Sequence, residues 1–528
     1  MDIAIAGGLV RFVQGVFSAL PTLLVGLLIA ALLRYYLRAD GTVRLFGGSG
    51  LRSLAQSWLV GMLLPVCSIG VIPIIREMRR IGMRPGAISA FALSAPLFNP
   101  LSLLYGLTLS RPYVIIGFAL GSLAVVTVLG MVWDRVTRWS PHGPDQEKTP
   151  VSLRRLGFTG LLMIREIFGP TGVYSLIALS GLFFLGGLLP HGTLQSSVEQ
   201  DNWWAPLNMT AVVVPVYATP MLTMSQLGMM FTHGNSPGAA FCLLLLGTGV
   251  NLGTLVWISI NYGWRPTLIW FSMLLAVVVG IAYLINEPLI PPGVQPAGHT
   301  HAFDIYTNPF ASDAAVGLEA MRAAVEKSIS PLDLYLGGTV LLLMAVAGLL
   351  TLRLFRRQVD QFLMTVPELD TMQWEGIHRK VSGQTVGITL LIGLIALSIV
   401  GCYAYYPPPS EVLEEIRLVR VEVLSGISSR NFEQVQHHIP DLERWSRMLE
   451  VGYFLRNFQL RPYQQMQAYL LRKKLELLEH AAEEIVELQA QVRAGNKPAS
   501  ELEEKYELAN QLRVEISENL SRLSQAFR

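Results

Sequence analysis

Charge is what this chain has least of. Only 15% of its 528 residues are Asp, Glu, Lys or Arg, against ~25% in soluble domains, while 52% are apolar. That excludes an ordinary soluble enzyme, and a net charge of +2 is too small to favour nucleic acid. Cysteine is nearly absent too. Cys67, Cys242 and Cys402 all lie inside apolar runs, so neither a disulfide framework nor a cysteine-rich metal cluster is offered, and no cofactor is expected. The chain lacks H-E-x-x-H, G-x-S-x-G and G-x-x-x-x-G-K-[ST], so no metalloprotease, serine hydrolase or ATP motor is signalled and no enzyme is expected. No cleavable leader is expected either, because the first apolar run, about 12–33, is too long for an h-region and reads as a signal anchor.

What remains is apolar sequence in membrane-length pieces. Candidate spans fall at about 12–33, 57–75, 86–109, 112–133, 171–190, 207–230, 237–259, 266–285, 332–352 and 384–405. The expected fold is therefore an all-α polytopic membrane protein. Span interiors hold almost no ionisable residue, which argues against a buried carboxylate proton relay, and Glu166 sits beside a basic interfacial stretch.

Two of these spans are broken. One carries Pro65-Val66-Cys67-Ser68-Ile69-Gly70-Val71-Ile72-Pro73 and the next Ser94-Ala95-Pro96-Leu97-Phe98-Asn99-Pro100. A break at bilayer depth frees backbone N–H and C=O groups that lipid cannot satisfy, so it persists only beside protein or a watery cavity. A shift of 152 residues then repeats the pattern. Gly82, Pro85, Gly86, Ala87, Leu93, Asn99 and Leu103 fall on Gly234, Pro237, Gly238, Ala239, Leu245, Asn251 and Leu255. The broken elements recur as 217–225, with Thr219, Pro220 and Ser225, and as 246–253, with Thr248 and Asn251.

Basic residues indicate how the copies are oriented. Arg34, Arg38, Arg44 and Arg52 precede the 57–75 element, and Arg76, Arg79, Arg80 and Arg84 follow it. If the element dips in and returns, both clusters lie in the cytoplasm. The loops around 207–230 lack Lys and Arg, so both would face outside. Each copy then has three crossings and a re-entrant hairpin, and the odd number inverts the second copy, as in secondary transporters. The alternative is that Pro65 and Pro73 merely kink a full crossing.

The domains expected are a first membrane repeat (1–134), a cytoplasmic connection (135–170), a second, inverted repeat (171–286), an external loop (287–331), two additional transmembrane helices (332–406) and an external helical bundle or coiled region (407–528). In the last, apolar residues recur at helical spacing. They run Met466, Leu470, Leu477, Ala481, Ile485, Leu488 and Val492, then Leu502, Tyr506, Ala509, Leu512, Ile516, Leu520 and Leu523. Gly495-Asn496-Lys497-Pro498 reads as a turn, and Ser500 with Glu503 as a capping box.

The candidate substrate site comprises Cys67, Ser68, Gly70, Pro73 and Asn99 from the first copy, with Thr219, Pro220, Ser225, Thr248 and Asn251 from the second. Hydroxyls, amides and exposed backbone would meet the solute, and half-helix N-termini favour anionic or strongly polar groups. Asn99 and Asn251 also fit a purely structural role, capping the helix breaks. Cys67 could bind a soft, thiophilic solute such as a trivalent metalloid, although a lone buried cysteine also serves as apolar filler. Its counterpart is Thr219, so no thiol pair forms across the copies. Cys242 matches Ala90 and reads as filler, and Gly117 with Gly121 reads as close helix packing. His299, His301 and Asp304 in the external loop make an incomplete metal site and fit a solvated loop better. The 434–441 stretch with His437-His438 is weaker still.

At these residues the chain resembles the predicted permease family that includes bacterial organoarsenical efflux permeases. The matching residues are Pro65, Cys67, Ser68, Gly70 and Pro73, then Gly86, Ala87, Ala90, Phe91, Ala95, Pro96, Asn99 and Pro100. A looser second copy runs through Pro220, Gly234, Pro237, Gly238, Ala239 and Asn251, and the resemblance covers about residues 1–285. It implies a membrane permease and, for some members, export of trivalent organoarsenicals. Members often have Cys-Ser-Cys, whereas Ile69 stands third here. The function expected is a secondary transporter moving a small polar or metalloid solute across the bacterial cytoplasmic membrane. The rival is a membrane-anchored assembly or scaffolding protein working through its external C-terminal helices. Expected partners are the solute and the lipid bilayer, with a homo-oligomer as an option and no nucleic acid.

Overall fold

The computed structural model describes the chain apart from residues 1, 110–111, 138–153, 191–192, 195–196, 291–299, 311–315, 330, 350–357, 359–381 and 494–497. Residues 138–153 of the expected 135–170 connection, residues 353–357 and 359–381 of the basic 353–383 connection, His299 and the Gly495–Lys497 part of the expected turn therefore lie outside the described residues. The fold is all-α. Among the described residues six helices are long and apolar enough to cross a membrane, at Ile3–Phe46, Pro112–Val136, Pro170–Leu188, Trp264–Asn286, Leu332–Leu349 and Gln384–Tyr405. A seventh, bent by 59°, joins Pro237–Thr248 to Leu252–Tyr262.

In the first copy, α1 (Ile3–Leu32) and α2 (Arg38–Phe46) lead to α3 (Gly50–Leu63) and α4 (Val71–Arg80). Then come α5 (Pro85–Ser94), α6 (Pro100–Leu109) and α7 (Pro112–Val136). Proline and glycine place the breaks. Pro65 follows the last turn of α3, Pro73 sits in the first turn of α4 where no N–H is required, and Pro100 opens α6. Between α3 and α4 the chain is held by turns, Val66 N to Leu64 O at 2.9 Å and Val71 N to Cys67 O at 2.9 Å.

Close approaches fix the helix directions. Leu54 of α3 reaches Gly130 of α7, which lies beside Gly86 of α5, while Gly61 of α3 lies against Ser94 and Ala95. Thus α3 and α5 run parallel and level with one another. Over its ten residues α4 carries the chain back to the level where α3 began. The α3–α4 element is a hairpin, and Pro65 and Pro73 do not kink a continuous helix. By contrast α5 and α6 run along α7 from Gly86 beside Gly130 to Gly106 beside Ile115, forming one interrupted span.

The second copy repeats this course. Helices α8 (Arg154–Ile167), α9 (Pro170–Leu188), α10 (Ala205–Val213) and α11 (Pro220–Thr232) are followed by α12 (Pro237–Cys242) with its π-helical extension to Thr248. Then come α13 (Leu252–Tyr262) and α14 (Trp264–Asn286). The offset of 152 residues holds at single hydrogen bonds. Gly86 N donates to Asp134 Oδ1 at 2.7 Å, and Gly238 N donates to Asn286 Oδ1 at 2.9 Å. Gly82 and Gly234 turn the chain with φ of 82° and 66°, a conformation open to glycine and costly for other residues.

Contacts between the copies are reciprocal. Trp270 Nε1 donates to Ser89 Oγ at 3.0 Å, and Phe118 meets Phe241 edge to face at 5.4 Å, the same two positions exchanged. Helices α7 and α14 run antiparallel, with Gly117 near Leu289, Gly121 near Ile281, and Trp133 near Trp270. The G-x-x-x-G face is thus a packing face, because a side chain at Gly121 would press on Phe241. Helices α1 and α9 are antiparallel as well, with Ala4 beside Gly187 and Gly15 beside Leu179. Helices α15 (Leu318–Glu326), α16 (Pro331–Leu349) and α17 (Gly383–Tyr405) follow the second copy.

Residues 399–528 form a separate compact unit. It contains α18 (Pro409–Ser428), α19 (Phe432–Asn457), α20 (Pro462–Arg493) and α21 (Ala499–Ala526). The α21 stripe is buried as its spacing predicts, at Tyr506, Ala509, Leu512, Ile516, Leu520 and Leu523. The α20 stripe is buried as expected at Ala481, Ile485 and Leu488, but its first half is displaced by one residue: Leu471, Leu475 and Leu478 are buried, whereas Met466, Leu470 and Leu477 are exposed. Adjacent apolar pairs at 470–471 and 477–478 fit either helical face, and packing chose the second. The expected capping box is also absent: Ser500 lies inside α21, whose N-cap is Pro498, and Glu503 pairs with Arg430 at 2.6 Å.

Candidate substrate site

At each helix break a side chain bonds the backbone N–H groups freed there. Cys67 Sγ accepts from Gly70 N at 3.4 Å, and Thr219 Oγ1 accepts from Leu222 N at 3.3 Å, just ahead of Pro220 at the start of α11. Asn99 Oδ1 accepts from Ser102 N at 2.7 Å, and its counterpart Asn251 Oδ1 accepts from Thr254 N at 2.8 Å. Both asparagines therefore cap the second half of a broken span, and their carbonyl oxygens are committed. Asn251 Nδ2, however, is buried without a hydrogen-bond partner.

The breaks of the two copies meet. Gly249 and Leu97 stand at equivalent positions and touch each other; a side chain at Gly249 would press on Leu97 and on Leu93 O. The hairpin tips meet likewise, since Tyr217 lies beside Cys67 and beside Thr22 of α1. The Tyr217 hydroxyl nonetheless makes no well-formed hydrogen bond, and neither does Ser68 Oγ, although both residues are buried. Gly70 cannot be replaced without movement, because a Cβ there would strike Thr22 O, and one at Gly26 would strike Gly70 O. Thr223 and Thr248 join the second hairpin to the second broken span, their hydroxyls 2.6 Å apart. Ser225 is half-buried on α11, and Pro73 is buried in α4.

Ser68 Oγ and Asn251 Nδ2, buried and unpaired within a few residues of helix breaks, have unmet hydrogen-bonding capacity. Each costs about 1–3 kcal/mol when it lacks a partner. Such groups persist in a fold when a ligand or water satisfies them during function. Among the described residues no three Cys, His, Asp or Glu side chains converge on a metal site. His301 instead pairs with Asp304 at 2.8 Å. Cys242 is buried beside Thr210.

A family model described as "Predicted permease" matches residues 9–287, just over half of the chain. The chain belongs to that family. It is a multi-pass membrane protein, and the match ends at the last residues of the second copy. A UPF0718 protein of Bacillus subtilis (strain 168), YcgR, is 28% identical over 92 residues, 17% of this chain and 31% of that protein. The permease thus aligns with about a third of that relative's length. No solved structure matches.

Sequence reasoning missed several residues of this permease's centre. Gln226 bonds Tyr306 and Ala302 O, and Arg11 bonds Thr307 O and Asp304 O. The Asp134 and Asn286 acceptors stand at the repeat offset and would have been found by extending the alignment to the last helix of each copy. Arg11 and Gln226 carried no sequence signal, because their partners lie some 80 to 300 positions away.

Proposed function

We propose that this permease is a secondary transporter that moves a small polar or metalloid solute across the bacterial cytoplasmic membrane by alternating access. One observation carries the reading. Ser68 Oγ and Asn251 Nδ2 lie buried without partners at helix breaks where the two copies approach each other, and Tyr217 stands beside Cys67 at the meeting hairpin tips. The antiparallel α7 and α14 support an inverted pair of repeats around a pseudo-two-fold axis, the plan in which such transporters place solute at the midplane. The basic 34–52 and 76–84 segments then face the cytoplasm, while residues 287–331 and the helical unit at 407–528 face outside. Cys67 offers a soft ligand to a thiophilic solute, with Thr219 and Ser225 supplying oxygen donors from the opposite hairpin.

The test is flux into proteoliposomes over a panel of small oxyanions, polar neutral solutes and trivalent arsenicals, comparing Ser68→Ala and Tyr217→Phe with wild type. Deleting the Ser68 hydroxyl, buried without a partner, leaves stability unchanged or raised, and Tyr217→Phe loses at most its weak contacts to Thr22 and Cys67. A fall in flux without a fall in stability therefore marks a solute contact. Full flux in both variants would remove these residues from the site.

A second reading treats the compact unit at 399–528, which lies beyond the family match, as an assembly element. Deletion of residues 410–528 with flux retained would separate the two roles.

A further inference from the structure

Beyond the last residue matched by the family model, the chain turns back into the permease. Residues His301–Tyr306 form a short 3₁₀ helix that puts Ala302, Phe303 and Tyr306 into the interior, Tyr306 only 1% exposed. Its anchors come from both copies. From α11, Gln226 Nε2 donates to Ala302 O at 2.7 Å while Gln226 Oε1 accepts from Tyr306 Oη at 2.9 Å. From α1, Arg11 Nε donates to Thr307 O at 2.8 Å and Arg11 Nη2 to Asp304 O at 2.5 Å. Asn308 Nδ2 closes the arrangement on Ile3 O at 3.1 Å.

Under this segment lies a cavity of about 40 Å³, lined among others by Arg11, Gln14, Tyr217, Leu222 and Tyr306. It therefore extends from the segment to Tyr217, which stands beside Cys67 at the hairpin tips. A polar segment bound by side chains of two separate helices, capping a cavity that reaches the hairpin tips, is built as a stopper.

We propose that residues 300–308 are a plug that closes the outer end of the solute path, and that transport requires its release from Gln226 and Arg11. The proposal rests on the transporter reading and deepens it. The plug lies outside the residues matched by the family model. Its bonds to Gln226 go to a side chain and a backbone carbonyl that water can satisfy equally once the segment lifts, so release is a reversible exchange of partners.

The test uses Cys67 as a built-in reporter, in full-length protein with Cys242→Ala and Cys402→Ser. A Cβ built on Gly7 lies 2.6 Å from Asn308 Cγ. A Gly7→Cys/Asn308→Cys pair then holds its Cβ atoms within about 4.1 Å, inside the roughly 3.5–4.5 Å that disulfides span. Sealed vesicles receive a small anionic methanethiosulfonate from the outer face, and modification of Cys67 is counted by peptide mass spectrometry. With the disulfide formed, Cys67 should become unreactive and recover on reduction. Tyr306→Phe, which takes one bond from the plug, should speed modification roughly fivefold. Equal Cys67 reactivity in oxidised, reduced and Tyr306→Phe proteins would overturn the plug.

Solute flux, measured in the same vesicles, separates this from failure of the transporter reading. Cys67 reactivity that follows the plug without flux of any solute sinks the transporter and leaves the plug. Flux that ignores the disulfide sinks the plug and leaves the transporter.

Discussion

Gly26 carries the sharpest test of how the first hairpin is seated. It lies in α1, and a Cβ built there would come far closer than 3.0 Å to the carbonyl oxygen of Gly70 at the hairpin break. The obstacle is backbone, so it cannot rotate away as a flexible side chain would. In a free helix, Gly→Ala gains about 1 kcal/mol from propensity. Here that gain is set against overpacking, which costs about 1–3 kcal/mol and more when backbone must move. The closeness of this approach puts the cost at or beyond the upper end. The net effect is then about 2 kcal/mol against the variant, roughly thirtyfold in the equilibrium between seated and displaced hairpin.

Gly280 in α14 supplies the matched control, because a Cβ there meets nothing within 4 Å. Gly280→Ala keeps the propensity gain and has no clash. Both variants would be compared in detergent by thermal unfolding and by the rate at which Cys67 reacts with a small thiol reagent. Gly26→Ala should unfold at lower temperature and expose Cys67 faster, while Gly280→Ala should match or exceed wild type. If Gly26→Ala were as stable as Gly280→Ala with Cys67 equally protected, α1 would not press on the break and the seating described above would be wrong.

Asp134→Ala should cost about 1–3 kcal/mol by leaving Gly86 N unpaired, whereas Asp134→Asn should be nearly neutral, since Asn286 does the same task for Gly238; unfolding in detergent decides it. Glu166→Gln removes the charge that Arg76 of the first hairpin shares with Thr171, and should raise proteolysis between residues 76 and 84 in detergent; an unchanged cleavage rate would exclude that latch. In the C-terminal unit, burial raises the Glu450 carboxyl above its ordinary 4.5, with Arg472 and Arg447 pulling it back. Relative to the unfolded chain, the fold therefore disfavours the charged carboxylate even with Arg472 paired to it. The protonated form's contribution is full at low pH and is lost as pH rises through the raised value. Glu450→Gln, which mimics that form, should gain amide-exchange protection over wild type across 462–493 as pH rises from 4.5, and a ratio independent of pH would refute this.

The apolar runs alone determined that the chain is helical and membrane-spanning, because bilayer thickness and unsatisfied backbone leave no other solution for such composition. The breaks at 64–70 and 95–99 were equally legible, since proline and glycine act through local backbone geometry. The shared offset of Asn99 and Asn251 was visible too, and their capping role follows from an amide side chain placed one residue before a helix. Tertiary structure decided what periodicity leaves degenerate. In α20, adjacent leucines at 470–471 and 477–478 satisfy two faces, and only the neighbouring helices select between them. At the start of α21, Ser500 and Glu503 fit a capping box locally, but Arg430, some 70 residues away, claims the glutamate. Arg11, Gln226 and Tyr306 came together by long-range packing that no spacing encodes. Local backbone chemistry is written residue by residue, whereas the partner of a buried polar side chain is fixed only when distant segments close around it.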